Sequence, residues 1–575
     1  MRTRRLASVA ILIGVVTSVT APAARDHAGQ EADAALRERA RTALRKAVEF
    51  YRTKVATEGG YHFAYAEDLS YGRSEMSEGP TRVEVQREGT PLVGMAYLEA
   101  HAATADAYYL DAARDVARAL VKGQYCSGGW DYYIEFDPSK RAEFRYRADG
   151  GCAREAGAGD RPTTLDDNVT QAAVRLLMRV DRELGFKDAP IHDAARFALD
   201  SLVKAQYPNG AWPQRYARFP EPSEFPVKRA SYPESWPRKW PGASYYTHYT
   251  FNDNSVVDAI DAMLEAARIY NEPRYLASAE KGGEFILIAQ MPEPQPGWAQ
   301  QYDRDMHPAW ARQFEPPSIT GGESQSVMRA LVLLHRETGN QKYLEPIPRA
   351  LAYYKRSMLP DVASPSEVRR RACKTGAPCM ARFYELQTNR PLYITKGTRV
   401  TAAGQGSINV DGYELSYSDA SVITHYAVVT SGAGLDAVER EFTAVRNSAP
   451  GSSGRPDKLR GLSPWSELPA VGTATAGGGG DRRDLPSRVQ AAIDAMDARG
   501  AWVEDGVIGK ANRLVSVLAA GDLVVTVGGK TIPVKENETV EVFSGPEPPR
   551  QRIIRSSTFA ANVGLLSTYL AARPQ

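Results

Sequence analysis

The chain has 575 residues, 43% hydrophobic and 24% charged, an ordinary composition for a folded protein and too long for one average domain unless a helical toroid absorbs it. Its formal charge is +2, and the chain without Arg2, Arg4 and Arg5 of its basic start is near −1. So even a balance excludes nucleic acid as a partner drawn by a whole-molecule field, and attraction to an acidic polymer has to come from a local cluster.

The start, MRTRRLASVAILIGVVTSVTAPAARDH, joins a basic stretch, an apolar run from Leu6 to Val19 and the small residues Ala21-Pro22-Ala23. That is a secretory signal pattern over 1–23, and the run is short for a membrane span. The expectation is a secreted or periplasmic monomer with no membrane segment beyond the signal. Of the four cysteines, Cys126 with Cys152 and Cys373 with Cys379 could each staple a loop after export. No spacing suggests zinc.

From about residue 33 to 358 the period is helical and repeats internally. YYLDAARDVARALVKGQYCSGGW, IHDAARFALDSLVKAQYPNGAW and YLASAEKGGEFILIAQMPEPQPGW share a helix, a glutamine, a turn and a tryptophan, and end at Trp130, Trp212 and Trp298. A weaker copy starts at Tyr343. Between the copies lie second helices such as VTQAAVRLLMRV, with Val169, Ala172, Ala173, Leu176, Leu177 and Val180 on one face. Paired helices recurring with a Gln/Gly/Trp corner predict stacked hairpins closing into an all-α (α/α) toroid over residues 24–450, with a groove at one end. A Pro- and aromatic-rich insertion at 217–247 reads as a wall of that groove or as a surface excursion. Composition makes 451–484 a linker. Residues 485–575 read as C-terminal helices enclosing a small β-insertion.

Three inner helices are preceded by TLDDN (164–168), TFNDN (250–254) and TGGES (320–324). Taken singly, such residues are ordinary helix N-caps. In a toroid successive inner helices start at one rim, so Asp166, Asp167 and Asp253 would converge. Convergent carboxylates suit general acid/base work or a hard-oxygen site for Ca²⁺. The loop WAQQYDRDMHPAWARQFEPPSITGGES (298–324) crowds Asp303, Asp305, His307, Arg312, Glu315 and Glu323 between two helical segments.

LDDNVTQAAVRLLMRV, AQYPNGAWPQRY, YTFNDNSVVDAI, HPAWARQFEPPSITGGES and YELQTNRPLY resemble, in order and wording, the family-10 pectate lyases over roughly 80–400. The resemblance implies an (α/α)₃ toroid that cleaves polygalacturonate by Ca²⁺-assisted β-elimination. It implies Arg312 as the base that removes the C5 proton, Asp166 and Asp253 around Ca²⁺ and the substrate carboxylate, and Arg390 on a neighbouring uronate. Asp167, Asn252, His307, Lys396 and Arg399 are further candidates for substrate contact. Lys396 and Arg399 also read as plain surface cations. A guanidinium base conflicts with its pKa above ~12 and requires the neutral form at the moment of transfer. His307 is a reserve base without that difficulty, and a structural hydrogen-bonder otherwise. Departures are Asp167 where the family carries an amide, Asn254 where it commonly carries Asp, and the 217–247 insertion.

Other readings remain open. Paired carboxylates could serve a glycoside hydrolase on a helical toroid. The Gln-x₃-Gly-x-Trp corners also resemble triterpene cyclase repeats, although here the acids sit on polar loops. A non-catalytic glycan-binding toroid is the remaining class. The expected partner is an acidic, oligogalacturonate-like polysaccharide.

Overall fold

The computed structural model describes residues 22–153, 157, 160–362, 365–373, 378–396, 399–402, 406–409, 413–420, 422–423, 426–447, 484–509, 513–518, 523–527, 530–534, 539–544 and 549–572. The signal stretch and the linker, apart from their edges, lie outside these residues.

The chain folds as an α/α toroid of helical hairpins. Helices Thr90–Thr104, Val169–Glu183, Ser255–Tyr270 and Glu323–Thr338 pack side by side in that order as an inner row. The first three are each backed by the helix that follows: Ala107–Lys122, Ala189–Ala205 and Pro273–Ala289. The face expected from the helical period is buried, with Val169, Ala173, Leu176, Leu177 and Val180 at 0% exposure. Covered on both sides, the inner helices also bury charge. Arg175 and Arg179 of one inner helix pair with Asp261 and Glu265 of the next, Arg175 Nη2 standing 2.7 Å from Asp261 and Arg179 Nε 2.6 Å from Glu265. At these depths each charge depends on its partner.

The corners explain the repeated motif. Trp130, Trp212 and Trp298 donate their indole N–H groups to Leu120, Leu202 and Ile286 carbonyls at 2.8, 2.9 and 2.9 Å. Gln124 Nε2 donates to Gly128 and Ala194 carbonyls, Gln206 to Gly210 and Ser278, and Gln290 to Pro296 and Pro346, so each glutamine ties its corner to the next outer segment. Gly128 and Gly210 sit at φ +101° and +99°, and a Cβ on Gly210 would lie 1.9 Å from the Lys281 carbonyl oxygen. Only glycine fits both conditions.

Residues past 484 carry a further corner. Trp502 donates to the Ala492 carbonyl at 2.8 Å. Helix Leu485–Asp494 packs on Pro22–Phe50, and Ser556–Ala571 packs on both Pro22–Phe50 and Thr90–Thr104. A boundary drawn near 450 therefore separates segments that share one core. Between them, strands Arg513–Leu518 and Thr539–Ser544 pair antiparallel, as do Leu523–Val527 and Lys530–Val534, which is the β-insertion expected from sequence. Both disulfides form, Cys126–Cys152 and Cys373–Cys379. No described helix is long and apolar enough to cross a membrane.

The insertion at 217–247 docks as a wall. Trp240 Nε1 donates to the Ala311 carbonyl and Trp310 Nε1 to the Pro237 carbonyl, both at 2.7 Å. Arg238 reaches Glu385 at 2.8 Å.

Candidate functional site

The site grows from a device repeated at the start of each inner helix. A two-residue strand (Thr163–Thr164, Tyr249–Thr250, Ile319–Thr320) pairs with residues beyond the corner: Arg215–Tyr216, Gln301–Tyr302 and Phe383–Tyr384. The following N–H groups, of Leu165, Phe251 and Gly321, donate to the carbonyls of Gln214, Gln300 and Arg382, each at 2.8 Å. The three loops are thus held in register at one rim.

In the first two loops the backbone then turns through the left-handed region twice. Asp167 and Asn168 have φ +48° and +57°, and Asp253 and Asn254 have φ +48° and +59°. Asp and Asn are among the few side-chain-bearing residues that tolerate this conformation. Neither asparagine side chain caps its helix. The helix-cap reading of TLDDN and TFNDN is corrected accordingly: the turn aims these side chains into the groove.

Ligand atoms of Asp166, Asp167 and Asp253 lie within 4.8 Å of one another. Gln214 Nε2 and Arg215 Nη2 donate to Asp166, each at 3.0 Å. The Tyr132 hydroxyl stands 3.0 Å from Asp166 and 3.1 Å from Asp167, and Gln86 Nε2 donates to Asp167 at 3.2 Å. Burial and the neighbouring carboxylates push Asp253 up to about 8 and Asp167 up to about 6.

Asn252 occupies in the second loop the place of Asp166 in the first. Its Nδ2 donates to Asp253 Oδ2 at 2.7 Å, while its Oδ1 meets Gln300 Nε2 at 2.8 Å and Arg382 Nη2 and the Tyr426 hydroxyl at 3.2 Å. Those contacts hold Asn252 against Asp253 with 4% exposure.

Arg312 joins this network through Glu315. Its Nε and Nη2 grip the Glu315 carboxylate at 2.8 and 2.7 Å. Glu315 is 1% exposed and also accepts from the Tyr426 hydroxyl at 2.7 Å. Tyr426 therefore bridges the Arg312–Glu315 pair to Asn252, the residue before Asp253. Tyr245, from the insertion, lies within electrostatic reach of Arg312, Glu315 and Asp166. Tyr426 and Tyr245 are thus the links between Arg312 and the aspartate loops. Glu315 raises the Arg312 pKa further and holds it charged at rest.

Arg382 completes the rim. It is salt-bridged to Glu323, and its guanidinium carbon sits 4.2 Å over the Tyr426 ring. Arg390 is exposed, 3.4 Å over the Tyr417 ring, with no carboxylate partner among the described residues. The Tyr417 hydroxyl donates to Glu385 at 2.6 Å. His307 sits on Asp303: its backbone N–H donates to Asp303 Oδ1 at 3.0 Å, closing a turn, and its Nδ1 lies 4.0 Å from Asp303 Oδ2. The side chains of Lys396 and Arg399 lie outside the described residues. Sequence reasoning missed Tyr132, Arg215, Arg382 and Tyr426. The first three occur at or next to one repeat position, two residues after a corner Trp or its equivalent, and were legible by register. Tyr426 carries no such mark.

Residues 137–403 match the family model described as pectic acid lyase, which bears out the resemblance to pectate lyases there and supports a polysaccharide lyase. No curated protein matches the chain. Among solved structures, the chain is similar to a mutant family 10 polysaccharide lyase from Cellvibrio cellulosa in complex with trigalaturonic acid, at 23% identity over 52% of this chain and 86% of that one, TM-score 0.35. A second family 10 polysaccharide lyase structure from Cellvibrio cellulosa is similar at 23% identity over 51% and 82%, TM-score 0.35. Cellobiose 2-epimerase from Spirochaeta thermophila is similar at 15% identity over 59% and 72%, TM-score 0.35.

Proposed function

We propose that this protein is an exported lyase that cleaves a uronate-containing, pectate-like glycan by Ca²⁺-assisted β-elimination. The observation that carries the reading is the gathering of three carboxylates within 4.8 Å, tied to the Arg312–Glu315 pair through Tyr426 and Asn252. The donor set fits a hard divalent cation: all ligands are carboxylate oxygens, and two of the acids are pushed up by burial and then by neighbouring carboxylates, a penalty on their charged forms that a cation would offset. Asp166, Asp167 and Asp253 would hold Ca²⁺. Bound there, the cation supplies charge stabilisation to a substrate carboxylate as the adjacent C5 proton leaves.

The chain's own residues do the rest. Arg312 stands as the base, and Glu315 fixes its orientation from a buried position. Arg312, in its neutral form, takes the C5 proton, the C5–H electron pair becomes the C4–C5 double bond, the C4–O bond breaks, and the departing oxygen takes up a proton from water. Because Glu315 holds the guanidinium charged, transfer to Arg312 gains from alkaline pH. Arg390, flat on Tyr417 and without a carboxylate partner among the described residues, is suited to grip a neighbouring uronate bidentately.

The test is ultraviolet absorbance of unsaturated uronide from polygalacturonate, abolished by EDTA and by Arg312→Ala. A second reading has its own observation: burial and the neighbouring Asp166 and Asp167 raise Asp253 to about 8, which would suit it as the protonated general acid of a glycoside hydrolase. New reducing ends without unsaturation would favour that reading.

A further inference from the structure

In a β-elimination the departing C4 oxygen needs a proton, and a side chain poised beside it delivers one faster than water does. Three phenols stand near Arg312 or the aspartates. Two of them have committed hydroxyls. That of Tyr132 is held between Asp166 and Asp167 at 3.0 and 3.1 Å and accepts from Arg215 Nη2 at 3.0 Å. That of Tyr426 donates to Glu315 at 2.7 Å and accepts from Gln300 Nε2 at 2.8 Å. Tyr245 differs: it is half-buried, and its hydroxyl has no hydrogen-bond partner among the described residues. Its proton is free to be given away.

The 217–247 insertion sets where Tyr245 stands, because its last stretch is pinned at both ends. At one end the Trp240 indole N–H donates to the carbonyl of Ala311, the residue before Arg312, at 2.7 Å. At the other, the Tyr246 ring lies 5.3 Å from the Arg215 guanidinium, and Arg215 Nη2 donates to Asp166 at 3.0 Å. The residues between Trp240 and Tyr246 therefore bridge the arginine's loop to the first aspartate loop, and Tyr245 is the last of them. Its ring is 5.0 Å from that of Tyr246, and its carbonyl accepts from the His248 N–H at 2.9 Å, which closes a turn. Arg312, Glu315, Tyr246 and Asp166 are the charged or titratable groups within electrostatic reach of its hydroxyl. Burial first, with Arg312 opposing and Glu315 adding, pushes that hydroxyl up to about 12. It thus keeps its proton in the alkaline range where Arg312 gains as a base, so that an acid and a base coexist at one pH.

The geometry points to Tyr245 as the general acid of the elimination, a role that rests on the lyase reading above. As the C4–O bond breaks, the Tyr245 O–H bond breaks with it. The proton passes to the departing oxygen, the O–H electron pair stays behind as phenolate, and the phenolate recovers a proton from water. Water remains the final source of the proton, and Tyr245 delivers it. The insertion is then part of the reaction and more than a wall of the groove.

The experiment compares two leaving groups on the full-length protein with Ca²⁺. On polygalacturonate, Tyr245→Phe should lower kcat about a hundredfold or more and leave KM and the melting temperature nearly unchanged, since only one unpaired hydroxyl is lost. On a galacturonide carrying a nitrophenoxy group at C4, which departs as a stable anion and needs no proton, the same variant should lose less than about threefold, read as nitrophenolate absorbance. Should Tyr245→Phe fail to fold, Trp240→Phe, which frees the bridge from Ala311, should show the same selectivity with a loss of about tenfold on the polymer. Comparable losses on the two substrates, or an unchanged polymer rate in Tyr245→Phe, overturn the inference. Should wild type cut the polymer and not the aryl galacturonide, the C5 proton decides: Tyr245→Phe should exchange it for solvent deuterium without releasing product, and no exchange overturns the inference. If wild type yields no unsaturated product from polygalacturonate, the lyase reading fails and the role of Tyr245 falls with it.

Discussion

Asp166 and Asn252 occupy the same place in successive hairpins: each accepts from the glutamine 48 residues further on, Gln214 at 3.0 Å and Gln300 at 2.8 Å. One frame therefore presents a charged carboxylate in the first loop and a neutral amide in the second. Asp166→Asn should leave the frame and the melting temperature nearly unchanged while removing one of three negative ligands. Cation affinity should drop about tenfold to a hundredfold, read by calorimetry with Ca²⁺. Unchanged affinity would remove Asp166 from the ligand set.

The raised acids link pH to stability. Asp253 rises from 3.8 to about 8 and Asp167 from 3.8 to about 6, because burial and like charge disfavour ionisation. The folded chain thus holds these protons more tightly than the unfolded chain does. The penalty of ionising them is absent below about 3.8 and grows as pH rises toward about 8. In EDTA the melting temperature should fall over that window, more for wild type than for Asp253→Asn, and Ca²⁺ should restore it. Equal slopes in thermal melts of the two proteins would contradict the assignment.

Arg312 should govern the alkaline limb of activity. Glu315 stabilises its charged form, so kcat on a uronan should climb with pH into the alkaline range. Glu315→Gln weakens that hold and should move the rise to lower pH, while Tyr426→Phe removes one donor to Glu315 at 2.7 Å and should move it to higher pH through a less relaxed, more basic carboxylate. Profiles of both variants that superimpose on wild type would separate Arg312 from proton transfer.

The ring interior carries a stability test far from the chemistry. Glu265, fully buried, binds both Arg175 and Arg179. Glu265→Ala leaves two buried guanidinium groups short of a partner and should cost about 3–5 kcal/mol in denaturant melts. A loss below about 1 kcal/mol would mean that water or Asp261 takes over the charge.

At the corner, Gly210→Ala places a methyl group against the Lys281 carbonyl at φ +99°. The loss should exceed the usual ~1 kcal/mol of a strained glycine replacement. Gly339→Ala, also at positive φ but with nothing within 4 Å, is the control that isolates the steric share.

Much of this was legible because the physical constraint repeats. The helical period gave the face through Val169, Leu176 and Val180, and the Gln/Gly/Trp spacing gave the corners, since an indole, an amide and a positive-φ glycine are required at each. The carboxylates were legible once a toroid was expected. Their grouping was less so: the sequence placed Asp166 and Asp253 around the cation and Asp167 with the substrate contacts, and the double left-handed turn brings ligand atoms of all three within 4.8 Å. The partners of Asn252 were not legible, because Gln300, Arg382 and Tyr426 come from distant segments. Tyr426 itself lies 111 residues from Glu315, and no local pattern encodes that meeting. The buried arginines Arg175 and Arg179 look like solvent-facing residues in the sequence, and only the packing of two inner helices supplies their partners.

The first and last described strands are stitched into one sheet. Strand Ala64–Ala66 pairs with Gln551–Arg555, which pairs in turn with Val503–Gly506, and the Ser556 hydroxyl and N–H donate to the carbonyls of His62 and Phe63. The opening hairpin therefore cannot finish its core until a segment nearly five hundred residues later arrives. Loss of the terminal helix would expose Tyr51, which stacks on Phe559, and Tyr97, which meets it edge-on, and with them the wall bearing Phe63 and Gln86. Removing a segment that touches no catalytic group would thereby unlatch the far side of the groove first.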